Sequence, residues 1–472
     1  SLTTYNHYVQ NQTTDGDGSA LIVTDIQEDV GDIRSLNQEL RIASTGDGSL
    51  RWVAGVNYED SETFERQFLV YPDNNSFSPS KNFIFQNYQQ GAQNIESYAG
   101  FGNVEYDVTP DVTVKVGARY TNSKNDAAQC GFDAGDGQIA GLFNFLGSLF
   151  NPAPGSFTPV NSVGFFDNNC FSLGANLAPS GAPTSTTLEE SNVSWRGGVD
   201  YRIRPTTMLY FSASRGFKAG SFPILAAATV SQFAPVTQES VTAYEAGIKT
   251  SLFERKAQLN AAVFHYGYDD KQVLTKVQDP IFGILDALRN IPKSRVTGFE
   301  ADFTYRPVPS LSLSVPVTYL KTEITEYNGV DYVGTARSFA GSALPFAPKW
   351  SYGLNADYRF PARAAFTPFA GISINGRSGV DTVPGGSSIT ATNSVSTRVL
   401  PGLVYPFRTE SHSTVDVRLG FDSADRNWSV MLWGKNVFNE YYVNNVVTSS
   451  DFTARWVGMP ATYGITWTMK AR

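Results

Sequence analysis

Residues 299–306 read Phe299-Glu300-Ala301-Asp302-Phe303-Thr304-Tyr305-Arg306, and this alternation decides the class of fold. The odd positions are apolar, whereas the even positions are polar or charged. Because successive side chains of a β-strand point to opposite faces, the pattern predicts a strand with one apolar and one charged face. The same alternation recurs at residues 311–319 and 415–421. An apolar outer face and a charged inner face are typical of a β-barrel embedded in lipid.

The turns indicate how the predicted strands are connected. Tight polar turns, rich in the Gly, Pro, Asp and Asn residues that such turns require, alternate with much longer connections. The tight turns are predicted at 46–49, 109–111, 205–207, 254–256, 308–310, 362–364 and 425–427, and the long connections at 71–93, 127–188, 223–238, 270–289, 326–347 and 379–410. Short turns at one rim and long loops at the other are typical of outer-membrane barrels.

The sequence therefore predicts an all-β protein, a transmembrane antiparallel β-barrel that occupies residues 1–472 as one domain with about sixteen visible strands. A secreted sandwich or propeller is the soluble alternative. Strands of roughly ten to twenty residues fit that alternative poorly, because strands of globular proteins are usually shorter.

Composition argues against several classes of function. The formal net charge of −8 disfavours nucleic acid, whose phosphates require a basic surface. The three histidines, His7, His265 and His412, are scattered and lack the spacing of metal ligands. Residues 15–18 resemble the start of a calcium loop but lack its later ligands, which favours a plain loop tip. No nucleophile elbow or phosphate loop is present, so we expect no enzymatic activity, metal site or cofactor.

Two positions depart from the regular pattern. Arg215 falls on the apolar side of the strand predicted at 208–222. Either Gly216 forms a bulge that turns Arg215 toward the lumen, or the arginine lies above the membrane. Pro316 has no backbone N–H to donate, so it predicts a local distortion of its strand.

The two cysteines, Cys130 and Cys170, both fall inside the long connection at 127–188. Because extracellular loops face an oxidising environment, we expect them to form a disulfide. The alternative is a pair of unrelated thiols. A disulfide here would close about forty residues, which the chain-entropy model values at roughly 3 to 4 kcal/mol.

The same connection contains a predicted helix over residues 140–151. Its apolar residues at helical spacing are Leu142, Phe143, Phe145, Leu146, Leu149 and Phe150. Such a face packs either against neighbouring loops or against a ligand at the barrel mouth. The candidate ligand-contacting residues are Phe143, Phe145, Phe150, Phe165 and Phe166.

Several stretches resemble the barrel of the TonB-dependent outer-membrane receptors. The most specific is the block at 434–442, which reads Gly434-Lys435-Asn436-Val437-Phe438-Asn439-Glu440-Tyr441-Tyr442. Further similar stretches lie at 214–222, 239–249, 259–264, 297–302 and 460–465. The resemblance spans essentially the whole chain. The family barrel has 22 strands and a plug domain in its lumen, so the resemblance implies that the plug and about six strands are missing at the N-terminus of these residues.

The resemblance also implies a function. We expect TonB-dependent active transport of a scarce, bulky solute across the outer membrane of a Gram-negative bacterium, with a ferric siderophore as the commonest ligand. The expected partners are the TonB-ExbB-ExbD complex, acting through the missing plug region, a small-molecule or metal-chelate ligand, and outer-membrane lipid and lipopolysaccharide. Two alternatives remain open: a passive porin-like diffusion channel, and a structural or adhesive surface barrel.

Overall fold

The computed structural model describes residues 1–472 except 17, 19, 74–83, 163–168, 225–226, 332–333, 363–365, 389–406, 426, 450–451 and 471–472. Strands account for most of the described residues. No helix in the described part of the chain is long and apolar enough to cross a membrane.

The elements follow the chain in one series. The strands are β1 (Leu2–Asp15), β2 (Asp25–Ala43), β3 (Leu50–Val70), β4 (Gln86–Thr109), β5 (Val112–Phe132), β6 (Cys170–Leu173), β7 (Pro179–Gly181), β8 (Thr184–Arg204), β9 (Thr207–Lys218), β10 (Glu239–Leu252), β11 (Ala257–Asp279), β12 (Gly283–Tyr305), β13 (Leu311–Glu326), β14 (Asn328–Val330), β15 (Ala336–Ser338), β16 (Trp350–Arg359), β17 (Phe366–Arg377), β18 (His412–Ser423), β19 (Trp428–Lys435), β20 (Val443–Ser449), β21 (Phe452–Val457) and β22 (Thr462–Met469). The helices are α1 (Gln138–Phe150) and two 3₁₀ turns, Val230–Phe233 and Gly386–Ser388.

Sixteen of these strands form one antiparallel meander, which confirms the fold class and the strand number. The spatial order is β1, β2, β3, β4, β5, β8, β9, β10, β11, β12, β13, β16, β17, β18, β19 and β22. The small hairpin β14–β15 is attached to β11 through the pair Lys276↔Val330. Because every strand of the meander pairs with its neighbour in sequence, short turns and long loops collect at opposite rims.

The register keeps the two faces of the sheet chemically distinct. On the inner face, Arg51 of β3 pairs with Asp107 of β4 (Nη1–Oδ2 2.6 Å). One position away, Trp52 lies opposite Val104, and both side chains are exposed on the outer face. The inner face carries further cross-strand ion pairs, Lys115–Asp200 and Arg418–Asp357. A charged side chain at the lipid midplane would cost about 2–4 kcal/mol, so the charges belong on the inner face.

The prediction of a long loop at 270–289 is wrong. β11 and β12 remain paired from Lys271↔Ile291 to Asp279↔Gly283, which leaves residues 280–282 as the turn. The pairing of β11 with β10 ends at Ser240↔Asp269, so the paired segment 271–291 continues as a two-stranded ribbon beyond its neighbour. Gly283 at the tip has φ of 76°, a left-handed conformation that favours glycine.

The two irregular positions behave differently. The ladder between β9 and β10 runs from Lys218 to Thr207 without a register shift, so Gly216 forms no bulge. Arg215 stays on the outer face beside Phe217, its guanidinium carbon 5.3 Å from the ring centroid. This placement supports the alternative in which the arginine lies above the apolar band. At Pro316 the pairing of β13 with β16 is interrupted, which confirms the predicted distortion.

Candidate functional site: the loop-side mouth of the barrel

The long connections pack together over one side of the mouth. Ten buried residues from different connections form a single apolar cluster, here called the loop core: Tyr71, Ile84, Ile139, Ala140, Phe143, Val160, Phe171, Leu173, Ala228 and Phe282. At its centre the ring of Phe143 lies 4.6 Å from that of Phe171 and 6.2 Å from that of Phe282. The loop core therefore joins connections that are far apart in sequence into one packed unit.

Burial in the loop core also affects a phenol at its edge. Tyr71 follows β3 and donates its hydroxyl hydrogen to Asn87 Oδ1 at 3.0 Å. Burial raises the pKa of Tyr71 far above its usual value, and the nearby charges of Asp136 and Asp133 add to the effect. The phenol is therefore neutral at physiological pH and acts only as a hydrogen-bonding group.

The predicted helix is confirmed as α1, although it begins two residues before the predicted start. Asp133 holds its first turn, because Oδ2 accepts the Ala140 N–H at 3.0 Å and Oδ1 accepts the Gly137 N–H at 3.0 Å. A carboxylate in this position satisfies N–H groups that have no partner within the helix. Both N–H groups lie in or directly before the first turn of the helix.

The five candidate ligand-contacting aromatics lie in different surroundings. Phe143 is 0% exposed in the loop core, whereas Phe145 is 62% exposed on the other side of α1 and Phe150 is 51% exposed at its C-terminal end. Phe165 and Phe166 lie outside the described residues. The buried side of α1 therefore packs against neighbouring loops. Contact between a ligand and the exposed side stays a prediction.

Cys130 and Cys170 form the expected disulfide. It joins the loop-side end of β5 to β6, and both cysteines are buried next to Phe132. The bond therefore anchors the start and the end of the connection that contains α1, and the alternative of two unrelated thiols is wrong.

The connection between β9 and β10 folds inward. We call residues 219–238 the strap and refer to its described parts, 219–224 and 227–238. Glu190 of β8 accepts N–H groups from both ends of the strap, Gly220 at 2.8 Å and Gln238 at 2.6 Å. Farther along, Gln129 of β5 donates to the Pro223 carbonyl. Since β5 and β8 present these polar side chains on the inner face of the sheet, the strap lies across the inside of the mouth.

The ribbon of β11 and β12 is tied to the strap at both of its ends. At its base, Gln272 Nε2 donates to the carbonyls of Ala219 (2.8 Å) and Thr237 (3.0 Å). At its tip, Asp279 Oδ2 accepts the Ala228 N–H at 3.0 Å. The strap, the loop core and the ribbon together close one side of the mouth.

A cleft of about 380 Å³ remains on the other side of the ribbon. It is lined by the ribbon, by the segment before β16, by the segment after β17 and by β20. Five strands separate β11 from β19, which precedes β20, so elements from distant parts of the sheet converge on this cleft. Such convergence places the cleft over the mouth, and its volume lies in the range of small-molecule sites.

The cleft combines apolar and charged groups. Phe346 and Leu274 are largely exposed within it. Two lysines of the ribbon are paired with carboxylates, Lys271 Nζ with Glu239 Oε1 at 3.1 Å and Lys276 Nζ with Asp286 Oδ2 at 2.8 Å. An amphipathic solute fits such a lining, because apolar surface supplies affinity and fixed polar groups supply orientation.

A larger groove of about 810 Å³ lies elsewhere, across β2, β3, β4, β5 and β8. Its side chains Asn94 and Asp126 alternate in phase with Tyr98 and Tyr120, which are exposed on the outer face. The groove therefore faces outward and does not open into the mouth. We take the smaller cleft as the candidate ligand site because it alone of these two lies over the lumen.

Sequence reasoning missed the residues that position the mouth, namely Glu190, Gln272 and Asp279. Glu190 occupies a position where the alternation already requires a polar residue, so nothing marks it as special. Asp279 precedes Pro280, which signals a turn but not the bond to a distant connection. Within the described residues, no group of three or more His, Cys, Asp or Glu side chains is arranged to hold a metal ion.

A family model described as "TonB dependent receptor-like, beta-barrel" matches residues 1–437. The chain belongs to this family of receptor barrels. Solved structures agree with the fold. The ferric yersiniabactin uptake receptor FyuA from Yersinia pestis is 15% identical with a TM-score of 0.70, and the match covers 98% of this chain and 57% of that one. The siderophore receptor PiuA from Acinetobacter baumannii is 14% identical with a TM-score of 0.64, and the match covers 98% of this chain and 61% of that one.

The ferripyoverdine receptor of the outer membrane of Pseudomonas aeruginosa is a further neighbour of this receptor barrel. It is 14% identical with a TM-score of 0.57, and the match covers 98% of this chain and 52% of that one. The present chain thus spans less than two thirds of the length of these receptors. At sequence identities this low, the structural matches show a shared fold.

Proposed function

We propose that this receptor barrel takes part in TonB-dependent active transport of a scarce, bulky solute, a ferric siderophore, across the outer membrane of a Gram-negative bacterium. In this proposal, residues 1–472 form a single transmembrane barrel domain. The energy comes from the TonB-ExbB-ExbD complex acting on the complete receptor, and the apolar outer face contacts outer-membrane lipid and lipopolysaccharide. The ligand is bound and moved without covalent change.

One observation carries the proposal: in a member of this receptor family, an amphipathic cleft lies over the mouth of a barrel whose inner face is charged. The strap and the loop core narrow the mouth on one side, which a route for passive diffusion does not need. The neighbours named for ferric yersiniabactin, siderophores and ferripyoverdine support a metal chelate as the solute. A chelate with aromatic and hydrogen-bonding groups suits a cleft that offers Phe346 beside two lysine–carboxylate pairs.

Uptake by intact cells tests the function. A deletion strain and the same strain complemented with the full-length gene are given radioactive iron bound to a catecholate, a hydroxamate or citrate. We expect uptake of one complex to disappear on deletion, to return on complementation and to stop when the proton gradient is collapsed. Unchanged uptake of all three complexes would contradict a ferric siderophore as the solute. A steady, ungated conductance of the native protein in planar bilayers would favour a passive channel.

A matched pair of variants tests the cleft. Phe346 lies in the cleft and Phe253 at the short-turn rim; both are more than half exposed, and their φ values are 57° and 52°. Phe346→Ala removes aromatic surface worth about 1 kcal/mol, so we expect a roughly fivefold higher KM for uptake. Phe253→Ala changes the same kind of residue in the same backbone conformation and should leave KM unchanged. Equal effects of the two variants would place the ligand elsewhere.

A further inference from the structure

The wall of the cleft and the anchor of that wall lie in different parts of the ribbon. Lys271, Leu274, Lys276 and Asp286, all in its lower and middle part, line the cleft. The tip at 279–282 does not line it and points into the loop core instead, where Phe282 is 2% exposed. A two-stranded ribbon on its own is only marginally stable in water. β14 supports the middle of the ribbon through the pair Lys276↔Val330, and the tip is its outermost support. The position of the cleft wall therefore depends in part on how the tip is held.

Asp279 holds the tip. Its side chain is 1% exposed and accepts three backbone N–H groups. Oδ1 accepts those of Ile281 and Phe282, each at 2.7 Å, and Oδ2 accepts that of Ala228 in the strap at 3.0 Å. Hydrogen bonds to a carboxylate are stronger than bonds to a neutral acceptor. The same carboxylate therefore closes the turn and fastens it to the strap.

An amide cannot replace this carboxylate. Asparagine has one acceptor oxygen and an NH₂ group that only donates, so it meets the three converging N–H donors with a single acceptor. A buried N–H group that loses its partner is costly. Asp279→Asn consequently keeps the size of the side chain but keeps only one acceptor oxygen. It loses either the hydrogen bond to Ala228 of the strap or the two hydrogen bonds to Ile281 and Phe282 within the turn.

We propose that Asp279 is a positioning residue for ligand binding: it fixes the ribbon against the strap and so holds the wall of the cleft in place without touching the ligand. This inference rests on the proposed function in so far as the cleft is the ligand site. The fixation of the ribbon is separate and is measured without any ligand.

The first experiment follows the ribbon directly. A spin label on Leu274→Cys in the full-length receptor reports the middle of the ribbon, where the wild-type side chain is 61% exposed and tolerates a label. The two cysteines of this chain are joined to each other, so they do not compete for the label. We expect Asp279→Asn to increase the mobility of the label. Asp425→Asn, which changes an aspartate that also accepts a backbone N–H but lies at the opposite rim, should not.

A second variant guards against misfolding. If Asp279→Asn does not reach the outer membrane, Phe282→Leu keeps an apolar side chain in the loop core but loosens the same tip. It should increase the mobility of the label to a smaller degree. An unchanged spectrum in whichever variant assembles would overturn the proposal.

The second experiment measures transport of the iron complex that the wild type takes up fastest. We expect Asp279→Asn to raise KM on the order of tenfold while the maximal rate per surface receptor stays constant, because fewer receptors hold the binding-competent cleft. A fall in the maximal rate alone would contradict the inference. If the wild type takes up none of the complexes, the proposed function fails, and the label still decides whether Asp279 fixes the ribbon.

Discussion

Replacing Phe143 by alanine separates packing from ligand contact on α1. The side chain is 0% exposed and lies between Phe171 and Phe282 in the loop core. Truncating a fully buried phenylalanine costs about 3–5 kcal/mol, from lost apolar burial and the cavity left behind. The substitution lowers the free energy needed to open the loop core locally. The loss cannot exceed the free energy of that local opening in the wild type. Phe145→Ala, on the same helix at 62% exposure, should cost less than about 0.5 kcal/mol.

Hydrogen exchange on the detergent-solubilised receptor measures the difference. A loss of 3–5 kcal/mol corresponds to roughly two to three and a half orders of magnitude in the opening equilibrium of α1. Peptides that cover α1 should therefore exchange much faster in Phe143→Ala, while strands such as β17 remain protected. Phe145→Ala serves as the control. If both variants loosen α1 equally, or neither does, the loop core is not what holds the helix.

Three further predictions concern the same rim and the opposite one. Replacing Cys130 and Cys170 by serine removes a link across 40 residues, worth about 4 kcal/mol in the chain-entropy model, and should expose the connection to limited proteolysis while the barrel resists. Gly220→Ala places a methyl group against the Val236 carbonyl and should destabilise the strap by about 1–3 kcal/mol, measured as faster exchange there. Hydrogen bonds from the Ser423 hydroxyl and from the Asn427 N–H lower the pKa of Asp425 in the folded protein. These bonds therefore stabilise the turn fully above the pKa that Asp425 has in the unfolded chain. The stabilisation disappears as the pH falls through the lower pKa of the folded state. The protection of the amides of 424, 425 and 427, relative to their intrinsic exchange rates at each pH, should fall below about pH 4, and Asp425→Asn should abolish this pH dependence.

The strands were predictable because their signal is local. Alternation at 299–306 reflects a face exposed to lipid and a face exposed to the lumen, and each residue reports its own side. The helix α1 was predictable for the same reason, since its apolar residues repeat every three to four positions along a short stretch of sequence. The ribbon at 271–291 was mistaken for a loop. Its polar positions weaken the alternation, and cross-strand pairing stabilises it all the same.

The positions of the loops could not be read in this way. Phe143 and Phe145 are two residues apart in the same helix, yet one is buried and the other exposed, because only the arrangement of neighbouring connections decides which side is covered. Asp279 is an ordinary turn residue until the strap, some fifty positions earlier, donates to it. These bonds join segments whose separation in sequence carries no local pattern.

The alternation along the chain was sufficient to predict a large antiparallel barrel with a charged inner face, because the periodicity of side chains along a strand is fixed by backbone geometry. The sequence also identified the family, through a match over residues 1–437. The folded arrangement of the loops was needed to show which of them close the mouth, where the cleft lies and which carboxylate holds its wall. Those features arise from contacts between distant segments, and their free energy depends on packing and hydrogen bonds that form after the strands have paired.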